Sequence, residues 1–173
     1  MATYAATRIA EFYEPGRIAC GYLSIFDPAD GRLLFSIEIG KCPKEKFTGY
    51  ARNSLEKGQR LACHSTHLSS WQSRDPKEQK WGGAIRAKYI VSFSGLPEHA
   101  DEALCIAIAR FFGWMEDASA QAVIFELSGN TKGHEALRLA AYANTASHLS
   151  PPPADSSAVF YLRSLRVRTN RHY

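Results

Sequence analysis

Long apolar runs are missing from this sequence. None approaches the ~20 consecutive apolar residues that cross a bilayer, so no membrane partner is expected. The opening stretch MATYAATRIAEFYEPG lacks a basic segment followed by an apolar one, so no secretory signal and a cytoplasmic location are expected. Cysteine is sparse. Cys20, Cys42, Cys63 and Cys105 show no close pair and no repeated spacing, which argues against a disulfide framework and reads as reduced thiols that mostly fill the core. Charge of one sign is not in large excess: the formal net charge is +4, too small to demand a polyanionic partner. The nucleotide-binding patterns G-x-x-x-x-G-K-[ST] and G-x-G-x-x-G are absent, as is the G-x-S-x-G nucleophile elbow.

What is present suits one soluble domain of 173 residues, with 45% apolar and 22% charged residues. Residues 4–13 fit either a strand or a short frayed helix. Ile18–Phe26 is rich in β-branched and aromatic residues, and Leu33–Ile39 is similar. The turn Asp27-Pro28-Ala29-Asp30-Gly31 between them predicts a hairpin over 18–40.

Lys44–Cys63 reads as a helix. Phe47, Tyr50, Ala51, Ser54, Leu55, Gly58, Leu61 and Ala62 form its buried stripe, and Lys57 and Arg60 fall among the polar positions. The small centre of that stripe (Ala51, Ser54, Gly58) allows close packing on a sheet or leaves room for a ligand. His64–Trp81 reads as a polar loop of about eighteen residues, a length that is usually functional or mobile. Gly82–Ala87 and Tyr89–Phe93 predict two short strands. The clearest helix covers Pro97–Met115, with Pro97 at its first position and Glu98, Asp101 and Glu102 matched to the helix dipole. Further on, Ala122–Leu127 reads as a strand, Gly133–Ser147 as a helix and Val159–Val167 as a terminal strand. Ser94-Gly95 before Glu102-Ala103-Leu104 is echoed by Ser128-Gly129 before Glu135-Ala136-Leu137, which raises a duplicated strand–turn–helix unit against plain coincidence.

Three groups of residues invite chemistry. Ser94-Gly95-Leu96, with Glu98, forms a strand-to-helix crossing whose backbone N–H groups suit an anion or a carbonyl oxygen; Ser94 serves equally well as a simple helix cap. Trp71 and Arg74 sit on the long loop, where an aromatic face stacks on a flat ligand and a guanidinium meets a carboxylate or phosphate; the plainer alternative is a solvated loop with Trp71 tucked into the core. Trp81 reads as core. Cys63-His64-Ser65-Thr66-His67 is the densest set of ligand-type side chains. His64 and His67 are candidate metal or haem ligands, though a helix end favours histidine anyway.

From Ile18 to Met115 the chain resembles the GlcG/PduO C-terminal/HbpS superfamily, the haem-degrading-like domains. The resemblance rests on the Asp27…Gly31 turn, the helix with Tyr50-Ala51 and Lys57, and Gly82-Gly83-Ala84-Ile85. It ends with the strand closing at Ser94-Gly95 and the helix opening with Pro97-Glu98 and Asp101-Glu102-Ala103. It implies an α+β, profilin-like fold in which an antiparallel β-sheet is flanked by helices. It also implies a small-molecule pocket and a homo-oligomer. Members are linked to haem, corrinoids and small organic acids. Residues 1–17 are shorter than that superfamily's opening helix, and residues 118–173 fall outside the resemblance as a C-terminal α/β extension.

The first reading is therefore a non-enzymatic or weakly enzymatic domain binding a tetrapyrrole such as haem, or a small carboxylate. Its pocket would lie between helix 44–63, loop 64–82 with Gly82 and Gly83, and turn 94–98. The rival is a nucleic-acid-associated or structural subunit using Arg163, Arg166, Arg168 and Arg171, with Trp71, Arg74, Lys77, Lys80 and Trp81. A small hydrolase built on Cys63 and His64 is a third, less supported reading.

Overall fold

The structure is a computed structural model that describes residues 2–138. Its elements run α1 (Ala2–Tyr13), β1 (Gly21–Phe26), β2 (Leu33–Ile39), α2 (Lys44–Cys63), β3 (Ala84–Arg86), β4 (Ile90–Ser94), α3 (Glu98–Phe111) and α4 (Asp117–Gln121). The strands form one antiparallel sheet in the order β2-β1-β4-β3. The fold is α+β, with helices on both faces of the sheet. No helix among the described residues is long and apolar enough to cross a membrane.

Alternation along the strands sets the two faces. Leu23, Ile25, Val91, Phe93 and Ile85 point to one side, into a core shared with Ile9 of α1 and Leu104 and Ile108 of α3. Phe26, Ser24, Ser92 and Ala84 point to the other side, where α2 lies. That second face is small and polar, and α2 answers it with small residues. Ser54 donates to Ser24 Oγ at 2.9 Å, Ser92 donates to the Ser54 carbonyl at 2.7 Å, and Gly58 rests on the Phe26 ring. The small stripe therefore provides close contact with the sheet.

Of the two readings open for residues 4–13, the helix forms, with Ala5, Ala6, Ile9 and Ala10 buried at helical spacing. Two other expectations are corrected. Ala122–Leu127 is a π-helical continuation of α4. Its β-branched composition suggests a strand, but Ala120, Val123, Ile124 and Leu127 follow a helical period and pack on the core together. Ser128-Gly129 consequently ends a helix, and the duplicated strand–turn–helix unit does not exist. Residues 133–138 are helical, as expected for the start of that segment. The remainder of that helix and the terminal strand lie outside the described residues.

Candidate functional site

The long loop after α2 is well structured. Two short 3-10 turns, Ser70–Ser73 and Pro76–Glu78, give it local order, and Ser69 with Gln72 closes a capping box on the first. Arg60 of α2 then collects the loop from beneath. Its guanidinium donates to the carbonyls of Ser70 and Ser73 at 2.9 Å and to Ser73 Oγ at 2.6 Å, and also to the Trp81 carbonyl. A guanidinium offers five donors in a fixed fork, which suits gathering carbonyls from several turns. Arg60 is thus a structural clasp whose side chain is 9% exposed.

The loop also latches onto α3. Arg74 makes a bidentate pair with Glu98, with both contacts at 2.8 Å, and the Gly82 N–H donates to the same carboxylate at 2.7 Å. These donors draw Glu98 below the usual carboxylate range despite the opposing effect of its burial. The Trp71 ring stacks on His99 of α3, with centroids 4.6 Å apart and planes 22° apart. The Arg74 guanidinium covers the Trp71 ring at 5.0 Å, and Gly82 presses its bare Cα against the indole. Trp71 is half-buried in this stack, and Trp81 is half-buried as well, where core was expected.

Under the loop lies a buried polar layer that residue-type reading misses. Lys57, assigned to the polar face of α2, is 1% exposed. Its ammonium donates to Asp101 Oδ2 at 2.7 Å and to the Phe93 carbonyl at 3.0 Å. Asp101 Oδ1 accepts the Leu96 N–H at 2.9 Å. This pair joins α2 on one sheet face to α3 on the other. It fits because Gly83, at φ 104°, has no side chain: an added Cβ would stand 2.7 Å from Asp101 Cβ and 3.2 Å from the Lys57 ammonium. Burial pushes Asp101 up to about 6, against the pull of Lys57 and of the Leu96 N–H.

The strand-to-helix crossing thus has its own internal anion. Asp101 takes the Leu96 N–H, and Arg17 donates to the Gly95 carbonyl at 2.9 Å. Gly95 sits at φ 155°, and a Cβ there would overlap the backbone of Cys20 and Gly21. Ser94 is buried and does not cap α3, whose N-cap position is Pro97. Ser94, Gly95, Leu96 and Gly83 therefore belong to the buried layer. Trp71, Arg74, Gly82 and Glu98 form the latch above it.

Glu102, one residue beyond Asp101, is fully buried. Its Oε1 accepts from Ser69 Oγ at 2.9 Å, while its Oε2 has no hydrogen-bond partner. Burial pushes this carboxyl up to about 7, opposed by the nearby Ser128, Ser69 and Asn130 side chains. The Trp71 indole N–H is likewise buried without a partner. Asn130 closes the far side. It donates to the His99 carbonyl at 2.9 Å and accepts from the Tyr13 hydroxyl at 2.6 Å, and His99 Nε2 lies 3.1 Å from the Ser128 carbonyl.

His64 and His67 stack on one another, with centroids 4.6 Å apart, just past the end of α2. Arg86 caps that end through the Leu61 and His64 carbonyls. No group of three or more metal-ligating side chains occurs among the described residues. Arg163, Arg166, Arg168 and Arg171 lie outside them. No protein-family model matches the chain, and neither a curated protein nor a solved structure shows detectable similarity to it.

Proposed function

We propose that this protein is a non-enzymatic binding domain for a small carboxylate, held beneath the 64–82 loop between Trp71 and Glu102. The observation that carries the reading is a pair of buried groups without partners, the Glu102 Oε2 and the Trp71 indole N–H. Each such group costs on the order of 1–3 kcal/mol when left unsatisfied. Both belong to the contact between the loop and α3: Ser69, two residues before Trp71, bonds Glu102, and Trp71 stacks on His99, three residues before Glu102.

A carboxylate satisfies both groups at once. Protonated Glu102 donates to one ligand oxygen, and the indole N–H donates to the same carboxylate. Entry requires the loop to lift, with Trp71 leaving His99 and Arg74 releasing Glu98. The Arg74–Glu98 pair is partly open to solvent, at 32% and 23% side-chain exposure, where an ion pair is worth little, and the Trp71–His99 stack is half-buried. The resemblance of residues 18–115 to the GlcG/PduO C-terminal/HbpS superfamily points the same way, because small organic acids are among that superfamily's ligands. Cys105 offers no nucleophile: its thiol is fully buried, raised by that burial, and donates to the Gly83 carbonyl.

Native mass spectrometry of protein taken directly from its cells, followed by tryptophan-fluorescence titration with a panel of small carboxylic acids, tests the proposal. The expected result is a low-mass acid bound at one per chain, with a fluorescence response that Trp71→Phe removes. A bound tetrapyrrole with a Soret band sensitive to His64→Ala or His67→Ala would reject it. So would co-purifying nucleic acid lost with salt, with no response to any acid.

A further inference from the structure

His99 is the fixed wall of the contact between the loop and α3. Its ring Nε2 lies 3.1 Å from the Ser128 carbonyl, and its own carbonyl accepts from the Asn130 side chain at 2.9 Å. Trp71 rides on the loop and lays its indole on that wall, with centroids 4.6 Å apart and planes 22° apart. A stack this close to parallel sets two flat faces against one another. His99 and Glu102 are three residues apart on α3, so they share one face of the helix. A group resting on the His99 ring therefore lies next to Glu102 along the helix, and Glu102 Oε2 is buried there without a partner. Ser69 ties the same carboxyl to the loop, two residues before Trp71.

We infer, taking the carboxylate site proposed above as the ground, that the acid held there is aromatic: a flat ring enters between the Trp71 indole and the His99 imidazole and turns its carboxylate towards Glu102. Lifting the loop breaks the Trp71–His99 stack. A saturated acid replaces it with hydrocarbon contact alone. An aromatic acid replaces one stack by two, with the indole on one side and the imidazole on the other, at a Trp71–His99 separation about twice the present one. Each stack of this kind strengthens binding roughly two- to twelvefold. One ring is enough, because the wall beneath it is a single imidazole. Trp71 stays over the ligand in this arrangement, so the loop closes on the acid with the same two faces that close it when empty.

Benzoate and cyclohexanecarboxylate test the inference, since they have the same carbon skeleton and one carboxylate each and differ in the flatness of the ring. Isothermal titration of the full chain is run at about pH 6, where Glu102 holds its proton and both acids are ionised. Benzoate should bind at least about tenfold more tightly. His99→Leu should bring the two acids within about threefold of one another, and His99→Phe, which restores a flat face, should keep the preference. Proton NMR of benzoate with the unaltered protein gives a readout that needs no variant: ring protons held between two aromatic faces should move upfield on binding. Equal affinities for the two acids, a preference that survives His99→Leu, or benzoate that binds without the upfield shift overturns the inference and leaves the carboxylate site standing. Binding of neither acid at millimolar concentration overturns the carboxylate site itself, and the aromatic ligand with it.

Discussion

Removing one partner of the Lys57–Asp101 pair should cost far more than removing both. The two side chains are 1% and 2% exposed, and their charged atoms are 2.7 Å apart. A buried pair of this kind gains on the order of 4 kcal/mol or more from mutual attraction at a moderate interior dielectric. Its desolvation cost is comparable. Lys57→Met keeps the aliphatic stem and leaves a buried carboxylate alone. Asp101→Asn keeps the shape, leaves a carbonyl oxygen for the Leu96 N–H, and strands the ammonium. Each single change should destabilise by about 3–5 kcal/mol. The double variant leaves no charge behind and should lose only ~1–2 kcal/mol, giving a coupling of several kcal/mol in a double-mutant cycle. Urea denaturation near neutral pH reads these differences as midpoint shifts of about 1–4 M for the single variants. Single variants that each lose less than ~1 kcal/mol, or losses that simply add, would refute the pair as the tie between the helix layers.

Two further outcomes follow from the same packing. Gly58→Ala should destabilise by about 1–2 kcal/mol even though alanine favours helix, because its Cβ would press into the buried Phe26 ring against which α2 rests; a gain in thermal stability would show that α2 can move off the sheet. Glu102 is raised from 4.5 to about 7 on folding, so its contribution to stability is fully present below about pH 4.5 and is lost as pH rises through about 7. Glu102→Gln does not titrate, so its stability relative to the unaltered protein should improve by about 3 kcal/mol between pH 4.5 and 8 in urea denaturation; an offset that stays constant with pH would place the carboxyl in an unshifted environment.

The strands, α2 and α3 were legible because their periodicities are strong: the hairpin follows from Asp27–Gly31 between two β-rich runs, and Lys44–Cys63 matches the observed helix. The buried layer was hidden by residue type. Lys57 lies at helical spacing with Ser54, Gly58 and Leu61, so position alone placed it inward, while its charge suggested solvent. Asp101 and Glu102 were explained too readily by the dipole of α3, although both are buried on that helix. The latch was partly visible, since Trp71, Arg74, Gly82 and Glu98 converge in space. Its internal pairing was not, because contacts between a loop and a helix N-terminus leave no periodic signal. Much of the loop's order comes from Arg60, which donates to the Ser70, Ser73 and Trp81 carbonyls that polarity alone would assign to water.

The pH dependence of carboxylate binding tests the central claim most directly. A ligand carboxylate stays ionised between about pH 5.5 and 9, while Glu102 must hold its proton to donate to it, and that proton is lost near pH 7. Isothermal titration with the tightest-binding acid of the panel should give an affinity that is level below about pH 6.5 and falls toward tenfold per pH unit above about 7. Glu102→Gln, which donates at every pH, should bind with no such fall. An affinity that ignores pH in the unaltered protein, or the same decline in Glu102→Gln, would contradict a site built on Glu102 and Trp71.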